Sequence, residues 1–420
     1  MARRGLLFMV AAGLLLVTGS LVAATLLVRA GVAGPLRLSQ TSVAPASPQP
    51  APHASNLPKR PLNLAFVGDI MAHEVNLTHP PYPAIYSRIE STIQQADLAF
   101  ANLEFTIDPN LPLAGYPAFN VHPEYVEAAV DAGFRVFSVA NNHIYDYGSA
   151  GIAATIAALD GLQESDGIIY SGIRSTGTDP MEPVTIERDG WRIGFLAITE
   201  FVNGYLKPDQ VNLVNFQDPV VRSSFLDRLK TMTKGYDLFI LSVHGGVQYA
   251  LQPNPVKAAF FREAVKAGVT ILWGQHPHVL QPWEIDTVDG TNRLIINSNG
   301  NFISGQISEI DPTAPSLPRT YTGDSAIFHV QVSRQSGKTS VVSVYPELVS
   351  NIKTADGEMI IEPLDQLVRE ELSPVWHDYY AYRLKTIRAL TRGTVVALDG
   401  SSLPAIGGSD FAAWSAAPAQ

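Results

Sequence analysis

Residues 137–148 read FSVANNHIYDYG, and this stretch joins a short apolar run to a dense set of polar side chains. Residues 136–140 have the pattern of a buried strand, and residues 150–159 have the pattern of a helix. Between them lie four polar residues: Asn141, Asn142, His143 and Asp146. Open α/β sheets place their sites at the carboxyl ends of strands. The stretch therefore predicts both an α/β fold and a functional site.

The same alternation of strands and helices extends over most of the chain. Apolar strands are predicted at 63–67, 98–103, 136–140, 191–198, 238–243, 269–273 and 294–297. Helices are predicted at 82–95, 123–132, 220–233 and 256–267. Such alternation indicates sheets covered by helices on both faces, an α/β sandwich. Residues 325–333 and 339–345, around Gln335-Ser336-Gly337, predict a β-hairpin added to the sheet.

Histidines and carboxylates recur where the predicted strands end. Five of the ten histidines follow predicted strands: His73, His143, His244, His276 and His278. Asp69 and Glu104 lie just past the first two strands. Nitrogen and carboxylate ligands without sulfur suit Zn, Mn, Fe or Ni better than Ca, which prefers oxygen alone. The chain has no cysteine, which excludes disulfides and thiolate ligands.

The pair His276-Pro277-His278 is the most specific of these signals. Along an extended chain, alternate side chains point the same way, and the proline restricts the backbone between them. We therefore expect both imidazoles to face one site.

The amino terminus has the composition of a membrane anchor. Residues 5–28 carry no charge and follow Arg3 and Arg4. A membrane helix needs about 20 apolar residues, whereas a cleaved secretory signal has an apolar region of about 7–15. We expect an uncleaved anchor within residues 1–33; a twin-arginine export signal is a fainter alternative. This predicts a single-pass protein of the cell membrane with its folded domain outside the cytoplasm.

Residues 34–61 are rich in Pro, Ala and Ser and predict an extended tether.

The charge of the chain is distributed unevenly. Residues 1–60 hold six of the 29 Lys and Arg and no Asp or Glu. The rest of the chain therefore carries 23 basic and 39 acidic residues, a formal charge of −16. Non-specific nucleic-acid binding needs a basic face. The acidic body therefore excludes nucleic acid as the expected partner.

Six short motifs together resemble the CapA family. They are GDIM at 68–71, NLE at 102–104, ANNHxxDxG at 140–148, SVHGG at 242–246, GQHPHVxQ at 274–281 and GNF at 300–302. That family is named for poly-γ-glutamate capsule synthesis and is related to the calcineurin-like metallophosphoesterases. The resemblance implies a four-layer α-β-β-α metallophosphatase-like sandwich at 62–350. A helical extension at 351–393 and a flexible tail at 394–420 would follow.

The resemblance also implies a centre of two divalent metal ions, Mn, Zn or Fe. Asp69 and His278 would bind the first metal, and Glu104 would bridge both. The second metal would be bound by Asn142, His244 and His276. Such a pair activates water near neutral pH.

His143 would face the leaving oxygen, and an imidazole there can protonate a departing alkoxide. Asp146 would orient this imidazole. Met71 stands where the related phosphoesterases have a histidine, so a mononuclear centre is the alternative. Further candidate site residues are His73, Asn141, Gln248 and Asn301.

Two functional hypotheses follow. In the first, the protein is a metal-dependent hydrolase of an ester or of an amide-linked polymer, using metal-bound hydroxide on a phosphoester or anionic polymer substrate. In the second, it binds or guides an anionic polymer such as poly-γ-glutamate without turnover, as part of an export or assembly complex. The resemblance implies other capsule or envelope membrane proteins as partners in both cases. His143 discriminates between the hypotheses, because a binder does not need it.

Overall fold

The computed structural model describes residues 59–176, 180–204, 209–370 and 372–391, with two short strands at 395–396 and 402–403. All of these residues belong to one compact unit. Within these ranges no helix is both long enough and apolar enough to cross a membrane. The predicted anchor at 5–28 and the predicted tether up to residue 58 lie outside them.

The strands are β1 Lys59–Ile70, β2 Leu98–Leu103, β3 Thr106–Ile107, β4 Asn120–Val121, β5 Val136–Ser138, β6 Ile169–Ser171, β7 Val184–Arg188, β8 Trp191–Thr199, β9 Leu238–His244, β10 Ile271–Gln275, β11 Trp283–Val288, β12 Thr291–Ile296, β13 Asn301–Ile303, β14 Asp324–Gln335, β15 Lys338–Lys353, β16 Met359–Pro363, β17 Val395–Val396 and β18 Ser402–Leu403. The α-helices are α1 Glu74–Leu77, α2 Glu90–Ile93, α3 Pro123–Asp131, α4 Gly148–Asp166, α5 Pro219–Met232, α6 Pro255–Lys266, α7 Leu364–Leu367 and α8 Pro374–Leu390. Short 3₁₀ helices lie at Tyr82–Tyr86, Thr233–Gly235, Gly305–Glu309 and Pro318–Gly323.

Two mixed sheets form the centre of the fold. The first has the order β16-β15-β14-β1-β2-β5-β6, with β13 also paired to β1. The second has the order β11-β12-β10-β9-β8-β7. β1, β2, β5 and β6 run parallel to one another, as do β8, β9, β10 and β12. The carboxyl ends of each parallel set therefore lie at one edge of its sheet.

Three apolar clusters place the sheets and helices in layers. Between the sheets, Phe66 stacks on Phe100 of its own sheet, and both pack against Trp273 of the other. On the outer face of the first sheet, residues such as Val67 pack with α3 and α4. On the outer face of the second, residues such as Leu241 pack with α5 and α6. The layers are helix, sheet, sheet and helix, and the predicted α/β class is confirmed.

Local sequence explains why several helices begin where they do. At α5, the Asp218 side chain accepts hydrogen bonds from the backbone N–H groups of Val220 and Val221. At α6, Asn254 accepts from the N–H of Lys257. Proline occupies the first position of α3, α5, α6 and α8, where its missing N–H costs nothing. The predictions for α3, α5 and α6 are accurate to about one residue.

One helix prediction is wrong. Residues 82–95 form a 3₁₀ helix, Tyr82–Tyr86, and the single turn α2 rather than one α-helix. Pro83 has no N–H to donate, and the turn closes through i to i+3 bonds such as Ser87 N to Ala84 O. The apolar spacing that suggested a helix still buries Ile85, Ile89 and Ile93.

The later part of the chain differs from expectation in three places. The predicted hairpin forms, but β15 continues to Lys353, past the expected boundary at residue 350, and β16 adds to the same sheet. The helix expected from 365 onward is divided into α7 and α8. β17 and β18 pair within the stretch expected to be a flexible tail. At the other end, β1 begins inside the predicted tether.

Candidate metal centre

Loops and strand ends from both sheets meet at one place. β1 carries Asp69 near its end, the turn after β2 carries Glu104, and the loop after β5 carries Asn142. From the second sheet, His244 is the last residue of β9, and the chain after β10 supplies His276 and His278. All six side chains are buried, at 3% exposure or less.

One group of potential ligands consists of Glu104, His244 and His276, whose ligand atoms lie within 4.8 Å of one another. His244 Nε2 is 3.5 Å from Glu104 Oε1 and 3.2 Å from His276 Nδ1. Asn142 Oδ1 approaches the same His244 Nε2 to 2.7 Å. Glu104, His276 and Asn142 thus each place a nitrogen or oxygen atom close to His244 Nε2. A cation bound among these four side chains would have a ligand atom from each.

A second group consists of Asp69, Glu104 and His278, again within 4.8 Å. His278 Nδ1 lies 3.4 Å from Asp69 Oδ2, and His278 Nε2 lies 3.9 Å from Glu104 Oε1. Asn102 Nδ2 donates to Asp69 Oδ1 at 2.8 Å, which holds that carboxylate in place. Glu104 is common to the two groups, the position that the resemblance assigns to a bridging carboxylate.

Glu104 provides the test of whether these residues fit a metal. Its side chain is fully buried, and neither carboxylate oxygen has a hydrogen-bond partner in the described part of the chain. Burial raises the pKa of Glu104 well above its ordinary value, and the charges of Asp69 and Asp146 raise it further. A buried carboxylate without donors is costly unless a cation pairs with it. The site therefore fits a divalent metal bound by carboxylate and imidazole.

The histidines are also suited to this role. Burial lowers the pKa of His244 and His276 well below the ordinary value, and neighbouring histidines lower it further. Both are thus neutral at physiological pH, the state in which imidazole binds a metal.

The expectation for His276-Pro277-His278 needs correction. Both histidines have positive φ, 92° and 57°, so the backbone is not extended and simple alternation does not apply. The two imidazoles are 5.6 Å apart and enter different ligand groups. Left-handed backbone at two non-glycine residues is strained, and such strain concentrates at functional sites.

His143 and Asp146 form a second, adjacent feature. His143 Nδ1 lies 2.7 Å from Asp146 Oδ2, which also accepts a hydrogen bond from the N–H of Phe119. The Phe119 ring packs edge-on against the imidazole, with centroids 4.6 Å apart. An Nδ1–H donated to Asp146 leaves Nε2 as the nitrogen available for proton transfer.

Asn203 was not found from the sequence. Its amide nitrogen donates to Asp146 Oδ1 at 3.3 Å, and its oxygen accepts from Asn142 Nδ2 at 3.2 Å. It thereby fixes the His143–Asp146 pair relative to Asn142, which the resemblance implies as a ligand. It belongs to an irregular loop after β8, and no motif or strand end marks it.

A cleft of about 390 Å³ opens over this centre, and its lining includes His143 and His278. Gln248 and Met71 also line it, and Tyr116 stands at its side, 75% exposed. A substrate in the cleft would therefore contact His143 and His278, one residue from each of these two features.

The remaining candidate residues have other positions. His73 packs on Phe119 and lies 3.5 Å from Ser304, and neither ligand group found among the described residues includes it. Asn141 braces the loop, donating to Leu103 O and accepting from His143 N. Asn301 Oδ1 lies 2.9 Å from His278 Nδ1 and orients that imidazole.

The sequence profile of the family described as bacterial capsule synthesis protein PGA_cap matches residues 63–306. The chain belongs to this family. The resemblance to CapA proteins is thereby confirmed. The PGA_cap match contains both ligand groups and the His143–Asp146 pair and ends before β14.

Curated relatives carry related names. A capsule biosynthesis protein CapA of Bacillus anthracis is 28% identical over 335 residues, covering 76% of this chain and 73% of the relative. A PGA biosynthesis protein CapA of Bacillus subtilis is 27% identical over 253 residues, 58% of this chain and 64% of the relative. A probable polyglutamine synthesis accessory protein of Mycobacterium tuberculosis is 25% identical over 222 residues, 49% of this chain and 55% of the relative.

Solved structures similar to this chain are more distant. A novel phosphatase from Mycoplasma pneumoniae aligns with a TM-score of 0.42 and 14% identity, covering 70% of this chain and 94% of that one. A hypothetical protein from Thermus thermophilus aligns with a TM-score of 0.39 and 19% identity, covering 68% of this chain and 98% of that one.

Proposed function

We propose that this protein is a metal-dependent hydrolase that cleaves an ester or amide bond of an anionic envelope polymer. The observation that carries the proposal is the buried Glu104 carboxylate, which has no hydrogen-bond donor in the described part of the chain and lies between two ligand groups. Family membership supports the polymer, because relatives are named for capsule and PGA biosynthesis. Divalent metal at the centre would supply an activated water and neutralise developing negative charge.

The chain's own residues have distinct tasks in this reaction. His278 and Asp69 hold one side of the centre, and His244 with His276 hold the other. His143, held by Asp146 through Nδ1, would act as an imidazolium: it would give its Nε2 proton to the departing oxygen or nitrogen and regain a proton from the attacking water. The walls of the cleft orient the polymer over these groups.

We also propose where in the cell the protein is located. The uncharged run at 5–28 would anchor the protein in the cell membrane, with residues from Lys59 onward outside the cytoplasm. Other envelope or capsule proteins would supply or receive the polymer. Protease treatment of intact cells tests this, because the described part of the chain should be digested while a cytoplasmic marker survives.

Activity assays on variants of the full-length chain test the catalytic proposal. Turnover of poly-γ-glutamate and of phosphodiester and phosphomonoester substrates is measured with added Mn or Zn. His143→Ala should lower kcat by about 10²–10⁴-fold while bound metal is retained, and His276→Ala should lose both metal and activity. His377→Ala, at a half-exposed position on α8, is the matched control. Full activity in His143→Ala would contradict the assigned proton donor.

A non-catalytic role is the second candidate. Each ligand group contains only three His, Asp or Glu residues in the described part of the chain, and Met71 brings no ligating nitrogen or oxygen side chain to the first. A centre of this kind could hold an anionic polymer without cleaving it. Polymer binding that needs metal and His276 but not His143, with no turnover of any substrate, would favour this role.

A further inference from the structure

A second cavity, of about 300 Å³, lies at the edge of the second sheet opposite the metal centre. Its lining residues Asp237, Thr270 and Thr291 stand at or just before the first residues of β9, β10 and β12. His244, by contrast, is the last residue of β9. Because β9 has seven residues and a strand rises roughly 3.3 Å per residue, the cavity lies about 20 Å from His244. The two sites are therefore separate.

Positive charge predominates in this cavity, although the chain from residue 61 onward carries a formal charge of −16. The lining contains four cationic side chains and two carboxylates: Lys234, Arg293, Arg334, Lys338, Asp237 and Asp289. Asp237 is already paired through both of its oxygens, Oδ2 with Lys59 Nζ and Oδ1 with Arg334 Nη1. The cavity thus has an excess of positive charge, which attracts anions.

Arg293 is the cation of this lining with the least compensation. Its side chain is partly buried, and its Nη1 donates to the neutral Thr270 Oγ1 at 2.9 Å. Within the described ranges Arg293 forms no ion pair, and the carboxylate whose charge acts on it is the exposed Asp289. Burial lowers the pKa of Arg293 despite that charge. A partly buried cation of this kind would be stabilised by an anion from outside the chain.

Three buried polar atoms of the lining residues are able to donate hydrogen bonds that the described part of the chain does not accept. They are Arg293 Nε, Arg334 Nε and Thr339 Oγ1. Buried polar atoms are normally hydrogen-bonded, so each of these calls for an acceptor. A phosphate group offers several acceptor oxygens, and its geometry matches a guanidinium. Lys234 and Lys338, both exposed, would add positive charge.

We propose that this cavity binds a phosphate group through Arg293, Arg334 and the hydroxyl of Thr339. The inference goes beyond the proposed function and does not depend on it. The phosphate could belong to a soluble molecule or to the headgroup of an anionic lipid, and the chemistry of recognition is the same. The lipid source is relevant because Lys59, at the start of β1, pairs with Asp237 of the lining, and the predicted membrane anchor precedes β1 in the sequence.

Calorimetric titration of the full-length chain with inorganic phosphate, before and after chelator treatment, tests the site. Phosphate bound at the metal centre should be lost with chelator, whereas phosphate bound in the cavity should remain. Arg293→Met should weaken the chelator-resistant Kd about 10–100-fold, because it removes a hydrogen bond to a charged group. Lys338→Gln, at an exposed position that tolerates substitution, should weaken it about 2–5-fold. Arg262→Gln, at an exposed arginine paired with Glu284 outside the lining, is the matched control and should bind like the parent.

Titration with short-chain phosphatidylglycerol and phosphatidylcholine separates the two sources. Phosphatidylglycerol that binds more tightly than inorganic phosphate, through Arg293 and with no binding of phosphatidylcholine, would support the site and identify a lipid headgroup. Phosphate that binds through Arg293 more tightly than phosphatidylglycerol would support the site and identify a soluble phosphate group. No chelator-resistant phosphate binding by the parent, or parental affinity in both Arg293→Met and Lys338→Gln, would overturn the proposal.

Discussion

Glu104 is the residue whose environment is least consistent with an ordinary protein interior. It is fully buried, its oxygens accept no hydrogen bond in the described part of the chain, and His244 and His278 approach it to 3.5 and 3.9 Å. Burial, followed by the charge of Asp69, raises its pKa well above the ordinary value, so the ionised form is disfavoured when no cation is bound. A bound cation would favour the ionised form of the same side chain. The role of this residue therefore depends on whether a cation is present.

Glu104→Gln should separate these two states. The amide removes the bridging charge, so bound metal should fall by at least half and turnover by at least about 10²-fold. In chelator-treated protein at neutral pH, the variant should be at least as stable as the parent, because Gln needs no protonation to remain buried. Elemental analysis and thermal unfolding with and without chelator provide the measurements. Glu284→Gln, at a surface ion pair, is the control; unchanged metal in Glu104→Gln would refute the bridging role.

His73 gives a pH prediction at the same scale. Burial, followed by the charges of His278 and His143, lowers its pKa from 6.5 to about 4. Because the folded protein disfavours its protonation, the contribution of His73 is complete above pH 6.5 and is lost as the pH falls toward 4. His73→Gln should remove up to about 3 kcal/mol of this acid sensitivity. Urea unfolding of chelator-treated protein at pH 7 and pH 4.5 would show it, and identical pH dependence in parent and variant would contradict it.

Among the elements, the parallel pairing of β1 with β13 and the preceding Gly300 controls the position of Asp69. A Cβ added to Gly68 would lie 1.9 Å from the carbonyl oxygen of Gly300, so the two backbones approach as closely as glycine allows. The same contact lets Asp69 N donate to Gly300 O and pairs Asp69 with Asn301. A larger residue at either glycine would move the ligand.

Gly68→Ala should therefore destabilise the protein by several kcal/mol and lower its metal content, since the added methyl group meets backbone rather than a flexible side chain. Gly161→Ala is the matched control, because its Cβ would enter open space on α4. That control should stabilise by about 0.5–1 kcal/mol. Denaturant unfolding of both variants measures the two changes in the free energy of unfolding. A small change in Gly68→Ala would contradict the prediction, because it would mean that the two backbones can move apart easily.

Sequence patterns predicted the regular elements well and the irregular ones poorly. Helices α3, α5 and α6 were located closely because proline and capping residues mark their starts. The segment 82–95 was misassigned because apolar spacing does not distinguish an α-helix from 3₁₀ turns interrupted by proline. The backbone of His276 and His278 could not be predicted either, because positive φ at a non-glycine residue is imposed by the surrounding fold.

At the scale of the whole molecule, the carboxy-terminal helix α8 is attached through a buried ion pair. Arg383 and Asp324 are both fully buried, and the guanidinium donates to the carboxylate from Nε at 2.6 Å. The Arg383 guanidinium also stacks 3.6 Å from the Tyr321 ring centroid. α8 lies outside the region that the family profile covers. The pair thus joins this chain's carboxy-terminal part to the strand next to the metal centre.

Arg383→Met should cost about 3–5 kcal/mol, because it leaves the Asp324 carboxylate buried without its partner. Adding Asp324→Asn should recover part of this loss, as the buried charge is then gone. Arg388→Met on the same helix removes a partly exposed pair with Asp365 and should cost less than about 1 kcal/mol. Urea unfolding of the three variants measures the differences. Equal losses in Arg383→Met and Arg388→Met would show that burial does not matter here.

That the site residues lie close together could be predicted from the sequence, but their detailed arrangement could not. Parallel strands bring their carboxyl ends to one edge, so a meeting of Asp69 and Glu104 follows from topology alone. Which histidine joins which group depends on how the two sheets pack, so strand patterns alone do not predict it; the family resemblance, by contrast, implied the same two groups. Asn203 was missed for a related reason: it lies outside the regular sheets and reaches the site only through tertiary contacts.

Metal content of the full-length chain, purified without chelator, tests the central claim most directly. Elemental analysis should find about two divalent ions per chain in the parent, a reduced content in His276→Ala and in His278→Ala, and the parental content in the His377→Ala control. A loss of metal in these two variants together would place the ions at Glu104 and its neighbours. A parent free of divalent metal after incubation with Mn or Zn, or one that keeps all its metal in both variants, would contradict the account.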